Sequence, residues 1–350
     1  MKMTRLEKMM NPASRCIAML VILAATSWQA CAVEQSNPLH VEIERIRTLF
    51  EEGRFSELDA IELRSRDLGS VIVTGQPVRA IYFWGVDGCG CEKTRQERFD
   101  NVAKAQRRLE AWRKANPQSR SVELLPAKIA VRTGYAYRGP EYADKVAPED
   151  WAVFHENIRK ASELLDAVSA ETRDDSQWYV EKLVVLGLGS ASRAEYEAFL
   201  ETALSRYPLN LGLYFEAVEH FLPKWGGSND QLRNFIDASA ARTRDAWGDM
   251  LYARLHWSTK TKDMFTSKRT DWKRMKTSFQ EIVEKYPHPW NLNSFASFAC
   301  DANDFQTVAD LLPRVRNAGA MIPAWGSMGN YQRCADLGEM TAQAASARRP

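Results

Sequence analysis

The chain has 350 residues, of which 45% are hydrophobic and 26% are charged, a composition typical of a globular protein and unlike that of disordered or collagen-like chains. Its 47 Lys and Arg residues nearly balance its 45 Asp and Glu residues, so net charge offers no electrostatic argument for binding nucleic acid or an anionic membrane. We therefore expect a globular protein without a nucleic-acid partner.

The first 32 residues have the pattern of a signal peptide. Four basic residues and one acidic residue lie outside an uncharged apolar run, residues 16–25, that is too short to span a bilayer. Small residues at positions 30–32 suit a signal peptidase and predict a mature protein that begins at Val33. Removing the peptide leaves 43 basic against 44 acidic residues. We expect a periplasmic or secreted protein.

Cys31 leaves an alternative open, in which this cysteine is acylated and holds the protein on a membrane. The preceding residues Trp28-Gln29-Ala30 match a lipobox only at Ala30. Cleavage after residue 32 is therefore the favoured prediction. With Cys31 lipidated, the protein would be a lipid-anchored structural component of the cell envelope.

Apolar residues recur every three to four positions along most of the mature chain, which predicts helices. Segment 71–84 is rich in β-branched and aromatic residues, but Pro77 suits the first turn of a helix, so we expect a helix there and keep strands as the alternative. Two of the predicted helices end at a proline. The predicted helices lie within 43–61 (with a break at Gly53), 99–112 (ending at Asn116-Pro117), 154–168 and 199–204 (ending at Tyr207-Pro208).

Two stretches of the second half resemble each other. Each has a helix ending in a basic residue, then Tyr-Pro, then a helical hairpin, and the Tyr-Pro pairs (207–208 and 286–287) are 79 residues apart, about two units of a two-helix repeat. Helix pairs that cannot bury their apolar faces alone must stack. We therefore predict an all-α fold, an α-solenoid of degenerate tetratricopeptide-like helix pairs over residues 33–340, followed by a frayed polar tail, 341–350.

The sequence contains no strong catalytic, phosphate-binding or metal-binding motif. Glu216, Glu219 and His220 share a helical stretch at a spacing that could hold a metal, but the apolar neighbours indicate that they face solvent. Asp174-Asp175 is interpreted as part of a solvated turn. We expect no catalytic residue, cofactor or metal ion. The remaining histidines are interpreted as ordinary helix or turn residues: His40, His155, His256 and His288.

Residues Lys224, Trp225, Gly226 and Gly227 form a candidate binding loop, because glycine lets a backbone approach a partner closely. The favoured interpretation is structural. In it, the glycines permit a left-handed turn and Trp225 fills the gap between helix pairs.

Four cysteines remain in the mature chain: Cys89, Cys91, Cys300 and Cys334. They allow three pairings. We predict a Cys300–Cys334 disulfide, because a terminal helix packs on its neighbour in a stack. Cys89 and Cys91, separated by one glycine, are then left to each other. Their bridge would be a structural staple or, alternatively, a strained thiol–disulfide redox site, with metal binding as a third option.

Several phrases of the chain resemble a bacterial family of unknown function, whose members are exported, tetratricopeptide-like helical-repeat proteins. The matching phrases are 133–146, 222–228 and 286–300, and the Leu-Pro-Lys-Trp-Gly-Gly motif in the second is the most specific. The resemblance covers about Phe50 to Trp325, implies an all-helical fold and implies no catalytic residues. We predict a non-enzymatic scaffold that binds an unidentified protein or peptide on its concave face, with a redox module at Cys89 and Cys91 as the alternative.

Overall fold

The structure, a computed structural model, describes residues 37–87, 94–267 and 269–347. Within these ranges the protein is all-α, as predicted, with seventeen α-helices and no β-strand. None of the described helices is both long and apolar enough to cross a membrane. The helices are α1 (Pro38–Glu52), α2 (Phe55–Ser65), α3 (Val78–Asp87), α4 (Arg95–Ala115), α5 (Arg120–Arg138), α6 (Pro148–Asp166), α7 (Ala170–Arg173), α8 (Ser176–Leu188), α9 (Arg193–Arg206), α10 (Leu211–His220), α11 (Asn229–Trp247), α12 (Met250–Ser258), α13 (Trp272–Lys285), α14 (Pro289–Asp301), α15 (Phe305–Ala318), α16 (Ile322–Trp325) and α17 (Met328–Ala347).

Local sequence signals set the ends of several helices. Thr94 and Ser192 each form a capping box, in which the side chain accepts a hydrogen bond from the third helical N–H and a Glu at that position bonds back. Helix α4 ends one residue before Asn116-Pro117, and α9 ends one residue before Tyr207-Pro208. Both predicted stops are confirmed.

The ambiguous segment 71–84 divides at Pro77. Helix α3 begins at the next residue, so the helix prediction is right for the second part. Residues 71–77 instead form a tight turn, which we call the 71–77 loop, with one isolated β-bridge between Val71 and Pro77. The helix prediction is wrong there because Gly75 adopts a left-handed φ of +82°, which reverses the chain before the proline.

Most helices pack against their neighbours in the chain. Helices α5, α8, α10 and α12 contact one another in series, and we call these four the inner layer. The most extensive contact between two helices joins α5 to α6. Helices α14, α15 and α17 pack together at the C-terminal end. Buried apolar residues form two large clusters, one from Ile46 to Val185 and one from Val180 to Cys334, which meet at α8.

The N-terminal part of the chain lies against the inner layer of the rest. Helix α3 contacts both α5 and α10. The 71–77 loop extends this contact further, because the Thr74 carbonyl accepts hydrogen bonds from Arg254 Nη2 of α12 (2.6 Å) and Asn291 Nδ2 of α14 (3.1 Å). Thr74 is completely buried. Segment 71–87 therefore covers part of the inner layer.

The C-terminal end carries the predicted disulfide. Cys300 of α14 and Cys334 of α17 are bonded, with their Cα atoms 5.8 Å apart. Helix α17 continues to Ala347, so the first seven residues of the predicted polar tail are helical and mostly exposed. Residues Cys31, Cys89 and Cys91 lie outside the described residues, and their predicted chemistry stays a prediction.

Candidate binding groove

A cavity of about 390 Å³ lies between α3 and the helices α5, α8 and α10 of the inner layer. We call this cavity the groove. The packing described above creates it, since α3 crosses the inner layer without covering it completely. The groove differs from a purely apolar packing defect in the side chains that line it. Its aromatic and charged residues are Phe83, Trp84, Asp87, Lys128, Arg132, Tyr135, Glu181, Phe215 and Glu216.

Aromatic rings form the walls of the groove. Trp84 and Tyr135 are 38% and 40% exposed, which is unusual for large aromatic side chains in the middle of packed helices. The Trp84 ring meets the Phe215 ring edge to face, with centroids 6.5 Å apart. Exposed rings inside a concavity offer a ligand a large contact area at low conformational cost.

A largely buried lysine, Lys128, lines the groove. Lys128 Nζ donates to both carboxylate oxygens of Glu181, at 3.0 and 3.1 Å, and lies 3.6 Å from Asp87 Oδ2. The Gln177 side-chain amide also donates to Glu181, at 2.7 Å. Burial acts to lower the pKa of Lys128, but Asp87 and Glu181 outweigh it and raise the pKa, so the ammonium stays charged.

Glu216 lines the same groove without an ion-pair partner among the described residues. Burial, with the negative charge of Glu181 beside it, raises the pKa of Glu216 to about 7, and Lys128 offsets only part of this effect. The carboxyl group is therefore close to half ionised at neutral pH. The prediction that Glu216 faces solvent is only partly right, because this residue is half-buried and lines the groove beside α5 and α8.

An ion-pair network fastens α3, and with it one wall of the groove, to α8. Arg79 of α3 pairs with Asp175 and, at 3.3 Å, with Glu62, and Arg120 adds a second bond to Asp175 at 2.9 Å. Asp175 also accepts the Gln177 N–H at the start of α8. Burial acts to raise the pKa of Asp175, but Arg79 and the other donors lower it. The interpretation of Asp175 as a solvated turn residue is wrong, because Asp175 forms a buried ion pair with Arg79, which lies 96 residues away in the sequence.

The candidate loop Lys224–Gly227 lies outside the groove lining. Gly226 has the predicted left-handed conformation, φ +83°, and a Cβ on Gly227 would lie 2.1 Å from the Phe221 carbonyl oxygen. Trp225 does not fill a gap between helix pairs as expected: it is 59% exposed, with Lys224 Nζ 5.6 Å from the centre of its ring. The turn forms without the ring because the two glycines alone satisfy its backbone requirements.

Glu216, Glu219 and His220 do not converge on one point. Glu219 pairs with Lys224 at 3.2 Å, and the His220 ring stacks on Tyr196 with centroids 3.9 Å apart. His256 is a buried core residue whose Nδ1 lies 3.0 Å from Thr270 Oγ1. No cluster of three potential metal ligands occurs in ranges 37–87, 94–267 and 269–347.

A second cavity, of about 660 Å³, lies between α1 and the 71–77 loop. Its walls are mainly aliphatic, from residues such as Val41, Ile72 and Val73. It lacks both the exposed aromatic rings and the buried ion pair of the groove, so it offers less specific recognition.

Sequence reasoning missed most of the groove, although a weak signal was present. Lys128 is the one charge in an apolar stretch of helix, Leu-Leu-Pro-Ala-Lys-Ile-Ala, and Glu181 and Lys182 interrupt another, Tyr-Val-Glu-Lys-Leu-Val-Val. A charge on the buried face of a helix needs a partner of opposite sign. The sequence does not show that these two charges are each other's partners.

Comparison with known proteins gives no assignment. No protein-family model, no curated protein and no solved structure matches this chain. The resemblance to a family of exported helical-repeat proteins therefore stays a prediction.

Proposed function

We propose that this protein is an exported helical-repeat scaffold of the α-solenoid type that binds a protein or peptide in the groove. The observation that carries the proposal is a cavity lined both by two exposed rings, Trp84 and Tyr135, and by a largely buried ion pair. Stacked helix pairs present such concave surfaces to extended partners. The proposed export rests on the signal-peptide pattern of residues 1–32.

The contact between the 71–77 loop and the inner layer illustrates how such a surface holds an extended chain. Side chains of α12 and α14 bind a main-chain carbonyl of the loop, at Thr74. A foreign peptide in the groove would meet aromatic rings and charged side chains.

To test the proposal, the mature protein is immobilised and peptides that bind it are selected from a displayed library of short random sequences. Affinities of the selected peptides are then measured by fluorescence anisotropy. We expect Trp84→Ala to weaken binding about tenfold or more, as loss of a central aromatic contact does. Trp225→Ala is the matched control, because this tryptophan is exposed outside the groove.

Two results would contradict the proposal. If no selected peptide binds the mature protein, the groove is not a peptide site. If Trp225→Ala abolishes binding while Trp84→Ala does not, the loop Lys224–Gly227 is the binding site instead.

A further inference from the structure

The groove contains one carboxylate, Glu216, that forms no ion pair with any described residue. Its acidic residues are Asp87, Glu181 and Glu216, and its basic residues are Lys128 and Arg132. Lys128 is engaged by Asp87 and Glu181. Glu216 forms no ion pair with either base, although it is the carboxyl group that α10 presents to the cavity.

The surroundings of Glu216 also favour a cation. The rings of Trp84, Tyr135 and Phe215 line the same cavity, and the face of an aromatic ring attracts an ammonium or guanidinium group. An anionic ligand would instead approach three carboxylates, and a neutral ligand would bury Glu216 further without a partner.

We infer that the bound peptide inserts a Lys or Arg side chain into the groove, where its charge pairs with Glu216 between the aromatic walls. This inference rests on the proposed peptide-binding function. The hydrocarbon stem of such a side chain packs against the rings while its charged end reaches the carboxylate. Glu216 is then the residue that determines specificity for a cationic side chain.

The affinity for such a peptide should depend on pH. Only the ionised form of Glu216 pairs with the cation, and the pKa of about 7 makes that form about one tenth populated at pH 6 and about nine tenths at pH 8. Affinity should therefore rise about tenfold from pH 6 to pH 8. Burial raises the pKa of Tyr135 and Tyr196, and the neighbouring carboxylates raise that of Lys128, so none of these three titrates in this window. The other charged or titratable groups that face Glu216 or lie on its helix are Asp87, Arg132, Glu181, Glu219 and His220; burial, with the charge of Arg193, lowers the pKa of His220.

Calorimetric titrations of the mature protein use N-acetyl-tetralysine amide, and the same peptide acetylated on every lysine side chain, at pH 6, 7 and 8; the N-acetyl group removes an α-amino group that would itself titrate in this range. We expect binding of the charged peptide only, with the tenfold rise across this range. Glu216→Gln should weaken that binding about tenfold at pH 8 and remove its pH dependence. Glu219→Gln is the matched control, since this carboxylate lies on the same helix and pairs with Lys224. Thermal melting confirms that both variants are folded.

The outcomes separate this inference from the function on which it rests. If library peptides bind through Trp84 but lack Lys and Arg, and Glu216→Gln leaves their affinity unchanged, the peptide function stands and the inference is wrong. If tetralysine binds both Gln variants equally, the attraction is nonspecific and the inference is wrong. If neither tetralysine nor any library peptide binds, both proposals fail.

Discussion

Replacing Arg79 with Met should destabilise the protein strongly, because it removes the centre of a buried ion-pair network. The Arg79 side chain is 3% exposed, and its partners Glu62 and Asp175 are 4% and 3% exposed. Removing one partner of a buried pair leaves the other charge uncompensated and costs about 3–5 kcal/mol. Here Asp175 keeps Arg120 and Glu62 keeps Arg66, so we expect the lower end, about 3 kcal/mol.

The measurement is urea unfolding followed by circular dichroism, with the midpoint and slope compared between variants. A triple variant, Arg79→Met with Glu62→Gln and Asp175→Asn, should recover most of the loss, because no charge then stays buried without a partner. Arg159→Met is the control for an exposed ion pair and should unfold like the wild type, since both Arg159 and Glu156 are well exposed. An Arg79→Met stability within about 1 kcal/mol of the wild type would refute the reasoning.

Further predictions concern the 71–77 loop, the disulfide and export. Gly75 and Gly226 both have φ near +80°, but only at Gly75 would a Cβ lie 2.5 Å from a neighbouring ring. Gly75→Ala should therefore lower the urea midpoint more than Gly226→Ala, and equal losses would contradict this. Non-reducing peptide mapping should find Cys300 linked to Cys334, and replacing both with Ser should cost about 3–4 kcal/mol for their 34-residue separation; an unchanged midpoint would argue against the bond. Intact mass of secreted protein should give a chain that begins at Val33, and recovery of only full-length protein would contradict cleavage.

The parts of the fold that depend on neighbouring residues could be predicted from the sequence. The stops at Asn116-Pro117 and Tyr207-Pro208 follow from the geometry of the residue before a proline, which acts within one helical turn. The Cys300–Cys334 pair was also predictable, because its two helices lie close together in the chain.

The groove could not be predicted, because its residues come from four separated helices. Lys128 and Glu181 are 53 residues apart, and Arg79 and Asp175 are 96 apart. A carboxylate in a polar segment is expected to face solvent unless its distant partner is known. The prediction for Asp175 was wrong for this reason. The prediction for Glu216 missed the groove for a related reason: the apolar pattern of α10 does not show that side chains of α5 and α8 line a cavity beside this residue.

The hydrogen bonds to Thr74 affect how the whole chain unfolds. In an open stack of helix pairs, stability is a sum of local terms, and the terminal units fray independently of the centre. Here the carbonyl of Thr74 accepts a hydrogen bond from Asn291, 217 residues later, so the 71–77 loop and helix α14 share a contact. Losing the C-terminal helices would free the 71–77 loop, and losing the loop would leave Arg254 and Asn291 buried without this acceptor. These two distant segments therefore stabilise each other, and we expect unfolding to be more cooperative than a series of independent steps.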